Sequence, residues 1–565
     1  MEAPKSPSKH KRFTTKHKLL FKITAVIFIL ILLFLGFYLE SHNWKPNSTS
    51  YYTVVIDCGS TGTRVNVYEW MLGGVVGKKN LPILLHSYPD NNATKKNNSL
   101  WKNSCQYHCM QTEPGLDKLV NDSLRVRRAL EPLIMWAESL VPRKMHGDTP
   151  IFVLATAGMR RIQRDDVFRV LEDVEAVAKD HSFMFDKRWI RVLSGREEAY
   201  YGWVALNYKM GSFDDDYHRG SSTLGLVDLG GSSLQIVVEI DRDTGDDVNA
   251  IRSEFGSIEH RIVAYSLPSF GLNEAFDRTV AMLRNNQRVE STRGVSELRH
   301  PCLMSTFVQN YTCNSCSGFH AVGTKNHSQS QKTELRSLSL VGNPDWEQCR
   351  EIAVAAAMNL SDSQVSHQAV GANCEASLFS GIGTGALNLT AVAHPMKRFH
   401  ALSGFFFVYN KLNLSPRANL TTILESGKQI CSNLWAGLSN ISDHPKYAGQ
   451  FCFRVAYMAS LIEHGLCLGD VEMEFGPGDV SWTLGAALVE GKFQWLNIAS
   501  HKSQTIYSAL KNVKVMSSPT TLFAVLLFLL FVVYCTQIKL PMPGRRASAP
   551  GSSLPSHTHT RHRAN

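Results

Sequence analysis

The stretch VVIDCGSTGTRVNVYEW (Val54–Trp70) sets how the rest of the chain is read. Val54, Val55 and Ile56 are β-branched and Val65 to Trp70 alternates, so two strands are predicted, Tyr51–Ile56 and Val65–Trp70. Between them stand Asp57, Gly59, Ser60, Thr61, Gly62, Thr63 and Arg64. Glycine lets a backbone come close to a bound group, and successive N–H groups in such a turn form a nest for an anion. Hydroxyls of Ser60, Thr61 and Thr63 add donors. Asp57 would repel a bare phosphate, which points to a divalent cation held directly or through water.

One turn of this kind is usually a tight hairpin and nothing more. It returns at LGLVDLGGSSLQIVVEI (Leu224–Ile240), where Asp228, Gly230, Gly231, Ser232 and Ser233 again stand between two apolar strands. Two phosphates facing one metal, with Asp57 and Asp228 on either side, explain both copies at once.

At 565 residues the chain is too long for one ordinary core, so two lobes are predicted. Two uncharged stretches, Ile23–Leu39 and Thr520–Ile538, are read as transmembrane helices. Residues 1–22 carry seven basic side chains against Glu2, and residues 539–565 carry five and no acid. Both tails are therefore predicted to be cytoplasmic, with the middle lumenal or extracellular. Once those tails are set aside the middle is close to neutral, so the formal +10 is a topology signal and not a nucleic-acid signal. Sequons at Asn47, Asn92, Asn97, Asn121, Asn310, Asn326, Asn359, Asn388, Asn413, Asn419 and Asn440 all fall in the middle and predict N-glycans.

Eleven of the twelve cysteines lie there too, in a compartment that would oxidise them. Cys58 sits inside the opening turn, where a bridge would obstruct it, and is expected to be free. The other ten suffice for five disulfides whose pairing stays open. Cys313-x-x-Cys316 lacks the second pair that a zinc site would need.

Residues 40–50 and 499–518 read as polar linkers. An amphipathic helix is predicted through Val126–Val141 despite Pro132, then a buried strand Ile151–Thr156 and a charged helix to about Asp180. This alternation argues an α/β architecture. Arg284–Cys349 is polar, holds four cysteines and reads as a disulfide-held insertion.

The paired loops resemble those of the actin, Hsp70 and hexokinase superfold, a ribonuclease H-like fold in which two related lobes clasp a nucleotide. Taken with ATAGMR (Ala155–Arg160), SGREEAYYGWVALNY (Ser194–Tyr208) and WTLGAAL (Trp482–Leu488), they resemble, in order, the apyrase conserved regions of the nucleoside triphosphate diphosphohydrolase family. The likeness spans Tyr51–Asn497 and is strongest to plant apyrases with two membrane helices. It implies lobe I at 51–193 with a return at 473–498, and lobe II at 194–472.

The resemblance also implies roles. Glu198 would polarise the attacking water, with Ser233 and Thr156 holding that water and Gln235 orienting waters on the metal, Ca²⁺ or Mg²⁺. Gly59, Ser60, Thr61, Gly62, Thr63, Arg64, Gly230, Gly231 and Ser232 would bind phosphate, and Asp57 and Asp228 would hold the metal through water. Arg160 suits a phosphate or a bridge between lobes, while Glu197 reads as a solvated acid at a helix start. Trp203 and Trp482 are expected to pack under the loops. SGFFFVYN (Ser403–Asn410) and FCFRVAYMAS (Phe451–Ser460) match the segments that sandwich the base, which implies a clamp of Phe406 or Phe407 against Tyr457. Gly62 stands where several cell-surface members carry histidine, which suggests a preference for diphosphates.

The expected activity is hydrolysis of nucleoside tri- or diphosphates to the monophosphate by direct water attack. The expected setting is the Golgi or the cell surface, and the membrane helices offer a route to a homo-oligomer. A kinase or polyphosphate hydrolase on the same superfold is the rival enzyme, disfavoured by the sequons and the Glu198 motif. The alternative from another class is a catalytically silent membrane glycoprotein that binds nucleotide or glycan.

Overall fold

The computed structural model describes residues 50–71, 81–89, 110–213, 223–240, 250–255, 258–286, 291–292, 295–311, 338–358, 398–437 and 449–491, with isolated positions at 523, 527 and 530. The described residues up to Gly491 belong to one compact unit. The stretches 23–39 and most of 520–538 lie outside the described residues, among which no helix is long and apolar enough to cross a membrane.

The opening stretch forms the predicted hairpin. Strand β1 (Ser50–Cys58) pairs antiparallel with β2 (Thr63–Met71), and β3 (Ile83–Tyr88) and the short β4 (Gln111–Thr112) extend it on the β2 side. Helix α1 (Ser123–Leu140) starts where Asp122 accepts a hydrogen bond from the Arg125 amide, and it carries Pro132 within it. Val126, Ala129, Leu130, Leu133, Ile134 and Ala137 form its buried stripe. Strand β5 (Ile151–Ala155) returns parallel to β1, helix α2 (Arg164–Lys179) follows, and β6 (Ile190–Val192) lies parallel to β5.

Helix α3 (Gly195–Lys209) opens with a capping box between Ser194 and Glu197 and is buried on nearly all sides from Ala199 to Asn207. The second hairpin follows: β7 (Gly225–Leu229) antiparallel to β8 (Ser233–Glu239). Strands β9 (Ala250–Phe255) and β10 (Ile258–Pro268) continue its sheet, and helix α4 (Leu272–Asn286) comes next.

The cysteine-rich region holds a small sheet, β11 (Ser291–Thr292), β12 (Val295–His300), β13 (Val308–Tyr311) and β14 (Leu338–Gly342), followed by helix α5 (Trp346–Ala357). Cys302 and Cys349 are bonded, tying the end of β12 to α5. Strand β15 (Phe399–Ser403), helices α6 (Gly404–Lys411), α7 (Leu420–Trp435) and α8 (Phe451–Ser460), strand β16 (Met473–Phe475) and helix α9 (Trp482–Glu490) complete the chain. Cys431 and Cys452 join α7 to α8, Cys467 is also in a disulfide, and Cys58 is free and buried as expected. Cys105, Cys109, Cys313, Cys316 and Cys374 lie outside the described residues.

The two large sheets share one plan. The first runs β3-β2-β1-β5-β6 and the second runs β10-β8-β7-β15-β16, with β9 added at its edge. In each, an antiparallel hairpin is flanked on its first strand by two parallel strands. In register, Ala155 at the end of β5 has its counterpart in Ser403 at the end of β15, each paired with the residue after the loop aspartate. Helices α3 and α9 pack so closely that a Cβ on Gly485 would lie 1.9 Å from the Tyr201 carbonyl oxygen. Tyr68 on β2 bonds Thr483 on α9 at 2.8 Å, which fixes this helix pair to the first sheet.

Candidate active site

The two hairpin turns face each other across a cavity of about 250 Å³. In the first, the Gly59 amide donates to the Gly62 carbonyl at 3.0 Å and closes the turn. Arg64 donates to Asp57 at 3.3 Å and to Thr61 at 3.0 Å, so its guanidinium fixes the loop it belongs to as well as lining the cavity. In the second, the Gly230 amide donates to the Ser233 carbonyl at 2.9 Å. The loops touch: Ser232 Oγ donates to Ser60 Oγ at 2.8 Å.

Asp57, Gly59, Ser60, Thr61 and Arg64 line the cavity from the first loop, and Asp228, Gly230, Gly231, Ser232, Ser233 and Gln235 from the second. Thr156 and Glu198 complete the lining on the side of the first sheet. Two expected phosphate contacts are not brought there. Thr63 is fully buried, and Gly62 backs onto β4, where a Cβ would come 2.6 Å from the Thr112 carbonyl oxygen. Glycine at position 62 is thus demanded by packing.

Glu198 has a side chain only 12% exposed and accepts a hydrogen bond from Arg160 Nη2 at 2.9 Å. Arg160 also donates to the Leu193 carbonyl, so it holds the acid and not an open anion site. Burial pushes Glu198 up to about 7, opposed by Arg160 and reinforced by Asp57 and Asp228. Burial likewise raises Asp228 to about 6, opposed by a hydrogen bond from the Ser403 hydroxyl and reinforced by Asp57. Asp57 is raised by burial against the pull of Arg64. Glu197 turns away as expected, capping α3 and pairing with Arg191 at 2.7 Å.

Three carboxyls around one cavity, Asp57 buried and Asp228 and Glu198 partly so, favour a bound cation. Asp57 Oδ1 is buried and accepts no hydrogen bond among the described residues. Gln235 donates to Ser233 Oγ at 2.7 Å and to Ser266 Oγ at 3.3 Å, which fixes its amide beside Asp228 on the neighbouring strand. Among the described residues no group of three or more His, Cys, Asp or Glu side chains stands ready to cage a metal. Carboxylate oxygens suit a hard cation, and Asp57 and Asp228 are the residues that would hold one here.

The other end of the cavity is lined by Leu272, Asn273, Phe407, Arg454, Val480 and Trp482. Of the proposed base clamp only Phe407 is there. Phe406 packs on the loop before α9, where a Cβ on Gly478 would lie 2.2 Å from its ring. Tyr457 is 0% exposed, stacks on Phe453 with ring centroids 5.4 Å apart, and donates to the Phe270 carbonyl at 2.7 Å. Helix α8 is buried along its whole length, so Tyr457 faces the core of the second sheet and Arg454 meets the cavity instead. An arginine inside FCFRVAYMAS is itself a signal, since a charge in a buried helix needs a reason. Trp203 is in the core as expected, whereas Trp482 reaches the cavity.

Ser403 had no sequence signal. It ends β15 with φ 54°, ψ −111°, a conformation few non-glycine residues adopt, and lines the cavity while bonding Asp228.

Two glycine-containing turns, facing carboxylates and a glutamate around one cavity are the arrangement expected of a phosphate-binding enzyme. The chain belongs to the GDA1/CD39 (nucleoside phosphatase) family, which it matches over residues 43–507. It is 34% identical to probable apyrase 7 of Arabidopsis thaliana over 92% of this chain and 67% of that one. It is 27% identical to ectonucleoside triphosphate diphosphohydrolase 3 of Mus musculus over 77% of each. A crystal structure of nucleoside triphosphate hydrolases from Neospora caninum aligns at 15% identity and TM-score 0.49 over 80% of this chain and 95% of that one. As a member of the GDA1/CD39 family the chain is a nucleotide phosphohydrolase, and that family generally uses divalent cations.

Proposed function

We propose that the cavity hydrolyses nucleoside tri- and diphosphates one phosphate at a time, with Glu198 as general base. The observation that carries this is a glutamate raised by burial to about 7, next to two phosphate loops in contact. At neutral pH such an acid is divided between its two forms and accepts a proton readily. Thr156 and Ser233 hold the attacking water, and Glu198 takes its proton as its oxygen bonds to the terminal phosphorus. The bond to the leaving nucleotide oxygen breaks, and loop amides receive the charge that builds there. A Ca²⁺ or Mg²⁺ ion near Asp57 and Asp228 would neutralise the phosphate oxygens.

The two similarly wired sheets support a two-lobed actin-like fold, with lobe I at 51–193 and 473–498 and lobe II at 194–472. Phe407 is the base-stacking ring, and Tyr457, buried against Phe453, takes no part in the clamp. A diphosphate preference remains part of this reading, with Gly62 required by its packing on Thr112. A glycosylated lumenal or extracellular domain between two membrane helices, in the Golgi or at the cell surface, fits the tails and the sequons.

The test compares the full-length protein with its Glu198→Gln variant for phosphate release from ATP, ADP, UDP, GDP and pyrophosphate, with Ca²⁺, Mg²⁺ or chelator. Metal-dependent release from nucleotides that falls by 10²-fold or more in the variant is expected. A variant as active as wild type removes Glu198 from the chemistry. Wild-type protein that binds nucleotide and releases nothing supports the silent receptor.

A further inference from the structure

Adjacent arginines leave the 3-10 turn Met159–Arg161 in two directions. Arg160 reaches back to Glu198. Arg161 reaches forward to the second sheet, donating through Nη1 to Glu274 and through Nη2 to the Ser232 carbonyl at 3.2 Å. Glu274 lies in the first turn of α4, and its side chain is 9% exposed. That turn is bound to the second phosphate loop. The Leu272 amide donates to Gly230 at 3.0 Å and the Asn273 amide to Gly231 at 2.8 Å. A Cβ on Gly271 would come 2.4 Å from the Ser232 amide nitrogen, so helix start and loop move as one body.

The first loop is bound to the turn that carries Arg161 in the same way. The Thr156 amide donates to Cys58 at 3.2 Å, and a Cβ on Gly158 would lie 2.9 Å from Ser60 Cα. Between the loops themselves, among the described residues, one hydroxyl pair is hydrogen-bonded, Ser232 to Ser60, and a single hydroxyl bond sets a distance but little angle. A planar guanidinium with two partners on the opposite body fixes distance and angle together.

We propose that Arg161 is a positioning residue that sets the gap between the two phosphate loops through Glu274 and the Ser232 carbonyl. It touches no reacting atom. It matters to a ligand whose phosphates engage both loops and not to one whose phosphate engages a single loop. This inference rests on the hydrolase reading of the cavity, and its test carries a binding measurement that stands without turnover.

The experiment uses full-length wild type, Arg161→Ala, Arg161→Lys, Glu274→Gln and the Arg161→Ala/Glu274→Gln double variant. Steady-state turnover of ADP and ATP, melting temperature, and affinity for a non-hydrolysable ADP analogue and for AMP are measured on each. Arg161→Ala is expected to lower kcat/KM about tenfold or more, since small misplacements near a reacting centre are costly. Analogue affinity falls with it while AMP affinity holds. Arg161→Lys restores part of the loss, because an ammonium can meet Glu274 without supplying the second, fixed donor. The double variant is no worse than the worse single one, the mark of residues acting as a unit.

Equal losses for AMP and the analogue, additive losses in the double variant, or wild-type kinetics in Arg161→Ala would overturn the proposal. If Arg161→Ala melts too low to assay, Arg161→Lys and Glu274→Gln give the same discrimination. Absence of turnover in wild type would count against the hydrolase reading, and the binding measurements would still decide the role of Arg161.

Discussion

Glu198 holds its proton far more tightly in the fold than in the unfolded chain, near 7 against an ordinary 4.5. Such an acid favours the fold below pH 4.5, and that contribution is lost as pH rises through about 7. Replacing it with glutamine removes the buried charge at high pH, so Glu198→Gln should be inactive yet more stable than wild type at pH 8 by about 1–3 kcal/mol. At pH 4.5 the two should melt together, and a variant less stable at both pH values would mean that Arg160 needs the carboxylate more than the fold resents it. Ser403 permits a second prediction. Without its hydroxyl Asp228 loses the hydrogen bond that orients its carboxylate toward the cation, so Ser403→Ala should need severalfold more Mg²⁺ or Ca²⁺ for half-maximal rate. Ser403→Gly loses the same donor but accepts φ 54° readily, and should melt higher than the alanine variant. An unchanged metal requirement in both would remove Ser403 from a role in holding Asp228. The placement of Glu198 at the cavity was legible because the motif around it matches the family pattern. Ser403 was not, because a left-handed backbone and a hydrogen bond to a strand about 175 residues earlier leave no local trace.

Local pattern was enough for the hairpins, for α1 and for β5, where alternation or helical spacing coincides with one buried face. It was not enough for α6 and α8, where nearly every position is apolar and periodicity cannot tell the face that meets the cavity from the face that meets the core. Phe406 and Phe407 show the consequence, one ring holding the glycine loop before α9 and the next lining the cavity. They should respond differently to truncation. Phe407→Ala is expected to raise KM for nucleotides severalfold with little change in melting, because it removes a stacking face and leaves the core intact. Phe406→Ala should cost about 1–3 kcal/mol of stability as Gly476 and Gly478 lose the ring they rest on. Melting curves and steady-state kinetics on the two variants check both, and equal effects on KM would show that the loop and the base pocket cannot be separated. The small sheet β11–β14 was legible only as a disulfide-held insertion, since its strands are two to six residues long.

For the whole molecule the duplicated sheet plan has an energetic consequence. Each phosphate loop is closed by its own backbone hydrogen bond at the end of its own sheet, so the contacts a phosphate chain makes to both loops add to the few that already join them. A ligand that binds only the folded protein stabilises it by about 2.7 kcal/mol at a concentration a hundred times its Kd. The carboxylates of Asp57 and Asp228 repel phosphate unless a cation stands between them, so nucleotide and cation should stabilise together more than the sum of each alone. Full-length Glu198→Gln protein, heated with a diphosphate analogue, with Mg²⁺ or Ca²⁺, and with both, measures this directly and without turnover. The expected result is a rise of several degrees with the pair and little with either component. A full rise with the analogue in chelator would mean that the loops hold phosphate against two bare carboxylates. Asp57 and Asp228 would then have to be protonated, a state that the upward shifts of both acids make easier as pH falls. Repeating the chelator measurement at higher pH, where both are ionised, should abolish that rise, and a rise that persists there would remove the cation from the site altogether.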